Sequence, residues 1–183
     1  EVVFSMLAGE SSVWESRVIQ YDYPDGSGAE RILPVAAIYG ANASGKTNLL
    51  HAVFNCLNDF LFAPLRSLGD PISNYDPFHF DLVSRKQPVY CGIEFLQNGR
   101  RFIYEIEFDA VQVSLEKLTL MNGTETDATV LFERNVINAA SHVHKVKVTS
   151  PTKDQIVEVF ANQPMLPKFG LDFPDEIITD AYL

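Results

Sequence analysis

The run Gly40-Ala41-Asn42-Ala43-Ser44-Gly45-Lys46-Thr47 constrains this chain more than any other stretch. It meets the phosphate-binding pattern G-x-x-x-x-G-K-[ST] at every fixed position. The flanks supply the context that the pattern needs. Leu33 to Tyr39 is short, uncharged and apolar, the reading of a parallel strand buried on both faces. Leu49, Leu50, Val53, Phe54, Leu57, Phe60 and Leu61 then recur at helical spacing. They predict a helix from Gly45 to Phe62, packed on more than one side and ended by Ala63-Pro64.

Strand, glycine loop and helix together predict a nucleotide phosphate site. Its residues are Gly40, Ala41, Asn42, Ala43, Ser44, Gly45, Lys46, Thr47 and Asn48. Gly40 and Gly45 lack a Cβ, which permits backbone angles that turn successive N–H groups inward. Those amides, with the positive end of the following helix, make a cradle for the α- and β-phosphates. Lys46 offers a point charge to the β/γ oxygens, and the Thr47 hydroxyl is the candidate Mg²⁺ ligand. ATP and Mg²⁺ are the expected cofactors. These residues assign no catalytic base.

The totals set outer limits. A chain of 183 residues with 46% hydrophobic content suits one sizeable domain, or one lobe of a larger one. A net charge of −10 argues against a surface that coats nucleic acid, although a local basic patch and DNA contact stay open. Cys56 and Cys91 lack metal or redox spacing and predict two buried thiols in a reducing compartment. No apolar run reaches membrane-spanning length, and Glu1-Val2-Val3-Phe4 has no signal-peptide character. A cytoplasmic protein without a membrane partner is expected. With no initiator Met, the chain is expected to start upstream of Glu1.

Upstream of the loop, Val2 to Leu7 and Val13 to Tyr23 predict strands, and Pro24-Asp25-Gly26-Ser27-Gly28 a turn. Leu65 to Asp81 is rich in Pro, Gly, Ser, Asn and Asp and predicts an irregular connection. Val89 to Gln97 and Arg101 to Phe108 alternate around Asn98-Gly99, a type I′ hairpin signal. Val111 to Met121 changes register between Leu115 and Leu118, which predicts a bulge. Asn122-Gly123 then turns into Thr129 to Arg134, and His142 to Val148 alternates again. His142 and His144 share a strand face but lack a third metal ligand nearby, so solvated edge residues are expected. Lys153 to Ala161 reads as a short helix. Asp172, Asp175 and Glu176 read as a solvated acidic face.

The loop Gly-x-Asn-x-Ser-Gly-Lys-Thr resembles those of ABC, SMC and RecF ATPases rather than those of kinases or small GTPases. The longer run from Leu33 through Leu50 is similar to the ABC-type AAA ATPases of bacterial phage-defence and abortive-infection systems, relatives of the OLD family. Phe4-Ser5-Met6-Leu7-Ala8-Gly9 and Pro77-Phe78-His79-Phe80-Asp81 resemble that branch too, and the likeness runs from Glu1 to about Arg134. It implies an α/β P-loop NTPase fold, an ABC-type first lobe with an inserted antiparallel β-meander. Residues 1–81 would hold the core strands, phosphate loop and helix, and 82–150 the meander. Residues 151–183 would be a tail or a connection to a second lobe.

The resemblance also implies an aromatic stacked on adenine, for which Trp14, Tyr21 and Tyr23 are candidates. It implies a Gln that senses Mg²⁺ and the γ-phosphate, for which Gln87 is the nearest candidate. The Walker B Asp, catalytic Glu, signature motif and switch His of a second lobe are not legible; Phe173-Pro174-Asp175-Glu176 lacks the apolar strand a Walker B needs. An N-terminal piece of a larger ATPase is the expectation. The function implied is ATP binding and hydrolysis in anti-phage defence, with ATP-dependent closure of a homodimer or larger homo-oligomer controlling an effector such as a nuclease or toxin. The alternatives are a nucleotide-gated scaffold with little turnover, a RecF-like DNA-repair ATPase and a P-loop kinase. Missing lid arginines and the meander count against the kinase.

Overall fold

The computed structural model describes residues 3–10, 15–24, 26, 28–61, 65–123, 127–135, 142–150, 153–172 and 175–182. A six-stranded antiparallel sheet dominates them, with its strands in sequence order: β3 (Val89–Gln97), β4 (Arg100–Phe108), β5 (Val113–Met121), β6 (Ala128–Asn135), β7 (Val143–Ser150) and β8 (Lys153–Phe160). The β3–β4 hairpin is set locally. Gln97 pairs with Arg100, and Asn98 and Gly99 take φ of 49° and 73°, the two positive angles of a type I′ turn. A register change is present in β5, but before Leu115 rather than between Leu115 and Leu118, and β6 carries a second irregularity. Pairing skips Ser114 between β4 and β5, and Leu131 between β5 and β6. The second Asn-Gly does not make a two-residue turn, because Met121 pairs with Ala128 and residues 122–127 connect them.

One face of the sheet is buried. Phe102, Tyr104, Ile106, Phe108, Leu118, Phe132, Val146, Val148 and Val159 form a core with Phe60, Leu61, Leu166, Phe169 and Ile178. Those partners come from the end of the loop-following helix, from α2 (Met165–Asp172) and from α3 (Glu176–Tyr182). Phe60 tilts against Phe108 at 4.6 Å, and Phe169 against Phe132 at 5.4 Å. Along the opposite face Glu105, Lys117, Glu133 and Lys147 stand directly across from one another on β4 to β7. Such an alternating ladder is at home in water.

At the centre of the core lies a charge. Glu116 of β5 is fully buried and accepts hydrogen bonds from the Tyr104 hydroxyl (2.8 Å), Arg134 (2.5 Å) and the Met165 amide (2.7 Å). It thereby caps α2 and neutralises an arginine that is itself buried. Burial and the Glu116 charge push the Tyr104 phenol well above its ordinary range.

Several expectations fail, each for a tertiary reason. Lys153–Phe160 is a strand, not a helix, because β7 pairs with it along its whole length. Asp175 is buried, and its carboxylate accepts from the Ile177 and Ile178 amides at the start of α3, whereas Glu176 is exposed. His144 is buried on the core face of β7, whereas His142, just before the strand, is exposed. No cluster of potential metal ligands forms among the described residues. Cys91 of β3 is disulfide-bonded, so the free-thiol expectation fails there; sequence spacing says nothing about neighbours in space.

Upstream of the loop, β1 (Ile19–Asp22) and β2 (Ala29–Ile32) form a hairpin, extended by the pairing of Leu7 with Ile32. Only the end of the predicted Val13–Tyr23 strand is β, since Glu15–Arg17 is a 3₁₀ turn and Val13 lies outside the described residues. The hairpin is anchored to the β3–β4 turn. The Tyr21 hydroxyl donates to the Gly99 carbonyl at 2.9 Å, and Arg101 bridges Tyr23 (2.8 Å), Glu30 (2.9 Å) and Glu94 (2.5 Å). From the other side Asp180 of α3 meets Asn98 and Arg100.

Candidate functional site

Beyond β2 the chain enters the segment read as a buried parallel strand. Residues 33–39 belong to no strand, and Val35 and Tyr39 are 75% and 90% exposed. Among the described residues no backbone hydrogen bond joins residues 34–39 to another segment. Strand geometry is a property of pairs, and no described strand lies alongside to complete one. The helix α1 (Lys46–Asn55) forms but buries no residue, against the expectation of packing on more than one side, and passes into a π-helical run, Cys56–Leu61. Its apolar residues divide in two. Leu57, Phe60 and Leu61 pack into the core, whereas Leu50, Val53 and Phe54 are exposed.

Between these elements lies the loop. Ala43, Ser44, Gly45, Lys46, Thr47 and Asn48 line an open cavity of about 320 Å³. Gly45 has φ +88°, a conformation that favours glycine. The first intrahelical bond runs from the Leu49 amide to the Gly45 carbonyl at 3.1 Å. The amides of Lys46, Thr47 and Asn48 therefore begin the helix without acceptors inside it, at its positive end. This donor set, on a glycine turn beside a lysine, fits a polyphosphate with its counter-cation.

Gly40 serves a different purpose from the one the pattern suggests. The left-handed turn falls at Ala43, with φ +62°, and not at Gly40. A Cβ on Gly40 would lie 2.6 Å from Ser44 Oγ and 3.9 Å from Lys46 Cδ. A Cβ there would force the Ser44 hydroxyl to turn away. Lys46, half-buried, curls back across the loop mouth and donates from Nζ to the carbonyls of Gly40 (2.8 Å) and Ala41 (2.6 Å), with Ser44 Oγ at 3.4 Å.

The remaining candidates are not gathered at the loop. Tyr21 and Tyr23 hold the β1–β2 hairpin to β4, and Trp14 lies outside the described residues. Burial and the hydrogen bond to Glu30 push the Tyr23 phenol up to about 12. Gln87 follows a 3₁₀ turn, and its carbonyl accepts from the Tyr75 hydroxyl at 2.9 Å. The structure shows no bond from its side chain to the loop. His51 is exposed on α1. Pro77-Phe78-His79-Phe80-Asp81 is an irregular segment whose polar side chains are exposed: Asp76 bonds His79 at 2.7 Å and Asp81 accepts from the Ser84 amide. Its Phe80 is 93% exposed. Sequence reasoning counted Ala43 among the loop residues but did not assign it the left-handed turn.

No helix among the described residues is long and apolar enough to cross a membrane. Neither a curated protein nor a solved structure matches the chain. A family model does, over residues 35–135, and its description reads "AAA domain, putative AbiEii toxin, Type IV TA system". The match opens within the apolar segment before the loop, takes in the whole phosphate pattern and ends at the last residue of β6. It covers more than half of the chain, which therefore belongs to this family of AAA-domain P-loop NTPases.

Proposed function

We propose that this chain is the ATP-binding lobe of an ABC-type, OLD-like ATPase of a bacterial defence system, working in the cytoplasm. The observation that carries the reading is the loop itself. A positive-φ glycine, a helix start whose first amides have no acceptor inside the helix, and a lysine line one cavity. Gly45, Lys46, Thr47 and Asn48 would hold the α- and β-phosphates, Lys46 the β/γ oxygens, and Thr47 the Mg²⁺. Bound ATP supplies a phosphoanhydride whose cleavage, or mere occupancy, changes which surfaces the lobe can join.

The surroundings support assembly. Val35, Ile38 and Tyr39 before the loop, and Leu50, Val53 and Phe54 after it, are apolar and exposed. A cradle built by one loop also leaves the γ-phosphate side open, where donors from a second subunit fit. The net charge of −10 opposes association in the absence of ligand, so ATP with Mg²⁺ promotes a homodimer or larger assembly whose closure controls an effector such as a nuclease or toxin.

Analytical ultracentrifugation of the full-length protein with a slowly hydrolysed ATP analogue, alongside Lys46→Ala, tests this. A larger species that depends on both nucleotide and Lys46 is expected. One assembly of unchanged size in every state would leave a preformed scaffold.

A further inference from the structure

Three groups of the loop interlock. Lys46 Nζ donates to two carbonyls of its own loop, Gly40 O at 2.8 Å and Ala41 O at 2.6 Å, and has Ser44 Oγ as a longer contact at 3.4 Å, which leaves donor capacity for a phosphate. Ser44 is itself placed by its amide, which donates to the Ala41 carbonyl at 3.3 Å. Its hydroxyl fills the space that a Cβ on Gly40 would take, 2.6 Å away. Of the three acceptors, the Ser44 hydroxyl alone is a side chain, so it alone varies with sequence.

We infer that Ser44 is a positioning residue for Lys46, and that Gly40 is glycine to admit the Ser44 hydroxyl. This rests on the phosphate-site reading and deepens it. Two backbone carbonyls hold the ammonium closely, and Ser44 Oγ adds a third, longer contact. An extended lysine on a four-carbon stem otherwise samples many rotamers, and that freedom is lost when phosphate binds. Ser44 removes part of that freedom beforehand, which is the general route by which preorganisation raises affinity.

The relation has an uncommon consequence: the damage done by one substitution is repaired by a second. In Gly40→Ala the new Cβ meets Ser44 Oγ at 2.6 Å, whereas the Ser44 Cβ lies at 3.5 Å, an ordinary contact. Removing the hydroxyl relieves the clash.

Two measurements on the full-length protein decide the matter. The first is calorimetric titration of ATP with Mg²⁺ into the parent, Ser44→Ala, Gly40→Ala and Gly40→Ala/Ser44→Ala. Ser44→Ala weakens binding about fivefold, the scale of one ordinary net hydrogen bond, in keeping with the long contact. Gly40→Ala weakens it more, and the double variant recovers to the level of Ser44→Ala. The second is the nitrogen-15 signal of the Lys46 ammonium without nucleotide, assigned by its loss in Lys46→Arg. It is sharp in the parent and broadened by fast exchange in Ser44→Ala. A double variant weaker than Gly40→Ala, or a Lys46 signal indifferent to Ser44→Ala, overturns the inference. A parent that binds no ATP sinks the phosphate-site reading, whereas a binding parent with an inert Ser44 sinks this inference alone.

Discussion

Replacing Glu116 with alanine is the severest test of how the sheet and helices are joined. One fully buried carboxylate accepts from Tyr104, from Arg134 and from the Met165 and Leu166 amides of α2. Its removal strands the Arg134 charge, which keeps the Gln163 carbonyl at 2.9 Å and the Phe160 carbonyl at 3.4 Å but no anion from this pair. Breaking a buried pair from one side costs about 3–5 kcal/mol. Losing a helix cap adds about 1 kcal/mol, and an unpartnered buried phenol about as much again. These terms share one carboxylate and do not add fully, so about 5 kcal/mol is the expected loss, comparable to the whole margin of many domains. Urea unfolding followed by circular dichroism and by fluorescence, with coincident transitions required, measures it. Glu116→Met/Arg134→Met serves as the control, because removing both charges together recovers most of the loss. A Glu116→Ala protein within about 1 kcal/mol of the parent would refute the reasoning, since the carboxylate could not then be buried as described.

Three smaller perturbations read other parts of the chain. Gly99→Val should destabilise by about 1 kcal/mol or more, because φ of 73° resists a β-branched residue; an unchanged urea midpoint would contradict the turn. Ala43→Gly should stabilise the nucleotide-free protein by up to about 1 kcal/mol by relieving φ of +62°, and a lower midpoint would place the left-handed turn elsewhere. Tyr23 is raised from 10.0 to about 12, so its contribution to stability is complete below pH 10 and is lost as pH rises through about 12. Ultraviolet titration against Tyr23→Phe should show a tyrosine missing from the high-pH end; a difference near pH 10 would contradict the burial.

What could be read from sequence was what neighbours in sequence decide. Asn98-Gly99 between two alternating runs specifies its hairpin without outside help, and the structure has it. The phosphate pattern likewise carries its own turn and helix start. Where partners lie far along the chain, the reading failed. Leu33 to Tyr39 looks like a buried strand because its composition suits two covered faces, yet a strand exists only when another pairs with it. Ile156, Val157 and Phe160 suit a helix face as well as a strand, and β7 settles the choice. Glu116 sits between Leu115 and Lys117 and reads as a solvent position; only Arg134, 18 residues away, and the start of α2 make it central. Gly40 shows a subtler limit. Sequence marks it as glycine, and the reason, a hydroxyl four residues on, is visible only in three dimensions.

The account rests on the loop from Gly40 to Asn48 as a nucleotide phosphate site, and direct binding tests that claim. Isothermal titration of ATP with Mg²⁺ into the full-length protein and into Lys46→Ala reads it without reliance on turnover or assembly. Lys46 donates only to oxygens of its own loop and takes part in no ion pair among the described residues, so the variant should keep its fold, checked by circular dichroism. The account predicts saturable binding by the parent and at least a tenfold loss in Lys46→Ala, in line with a phosphate contact to a charged group. Equal affinity in the two proteins, or none in a folded parent, would contradict it.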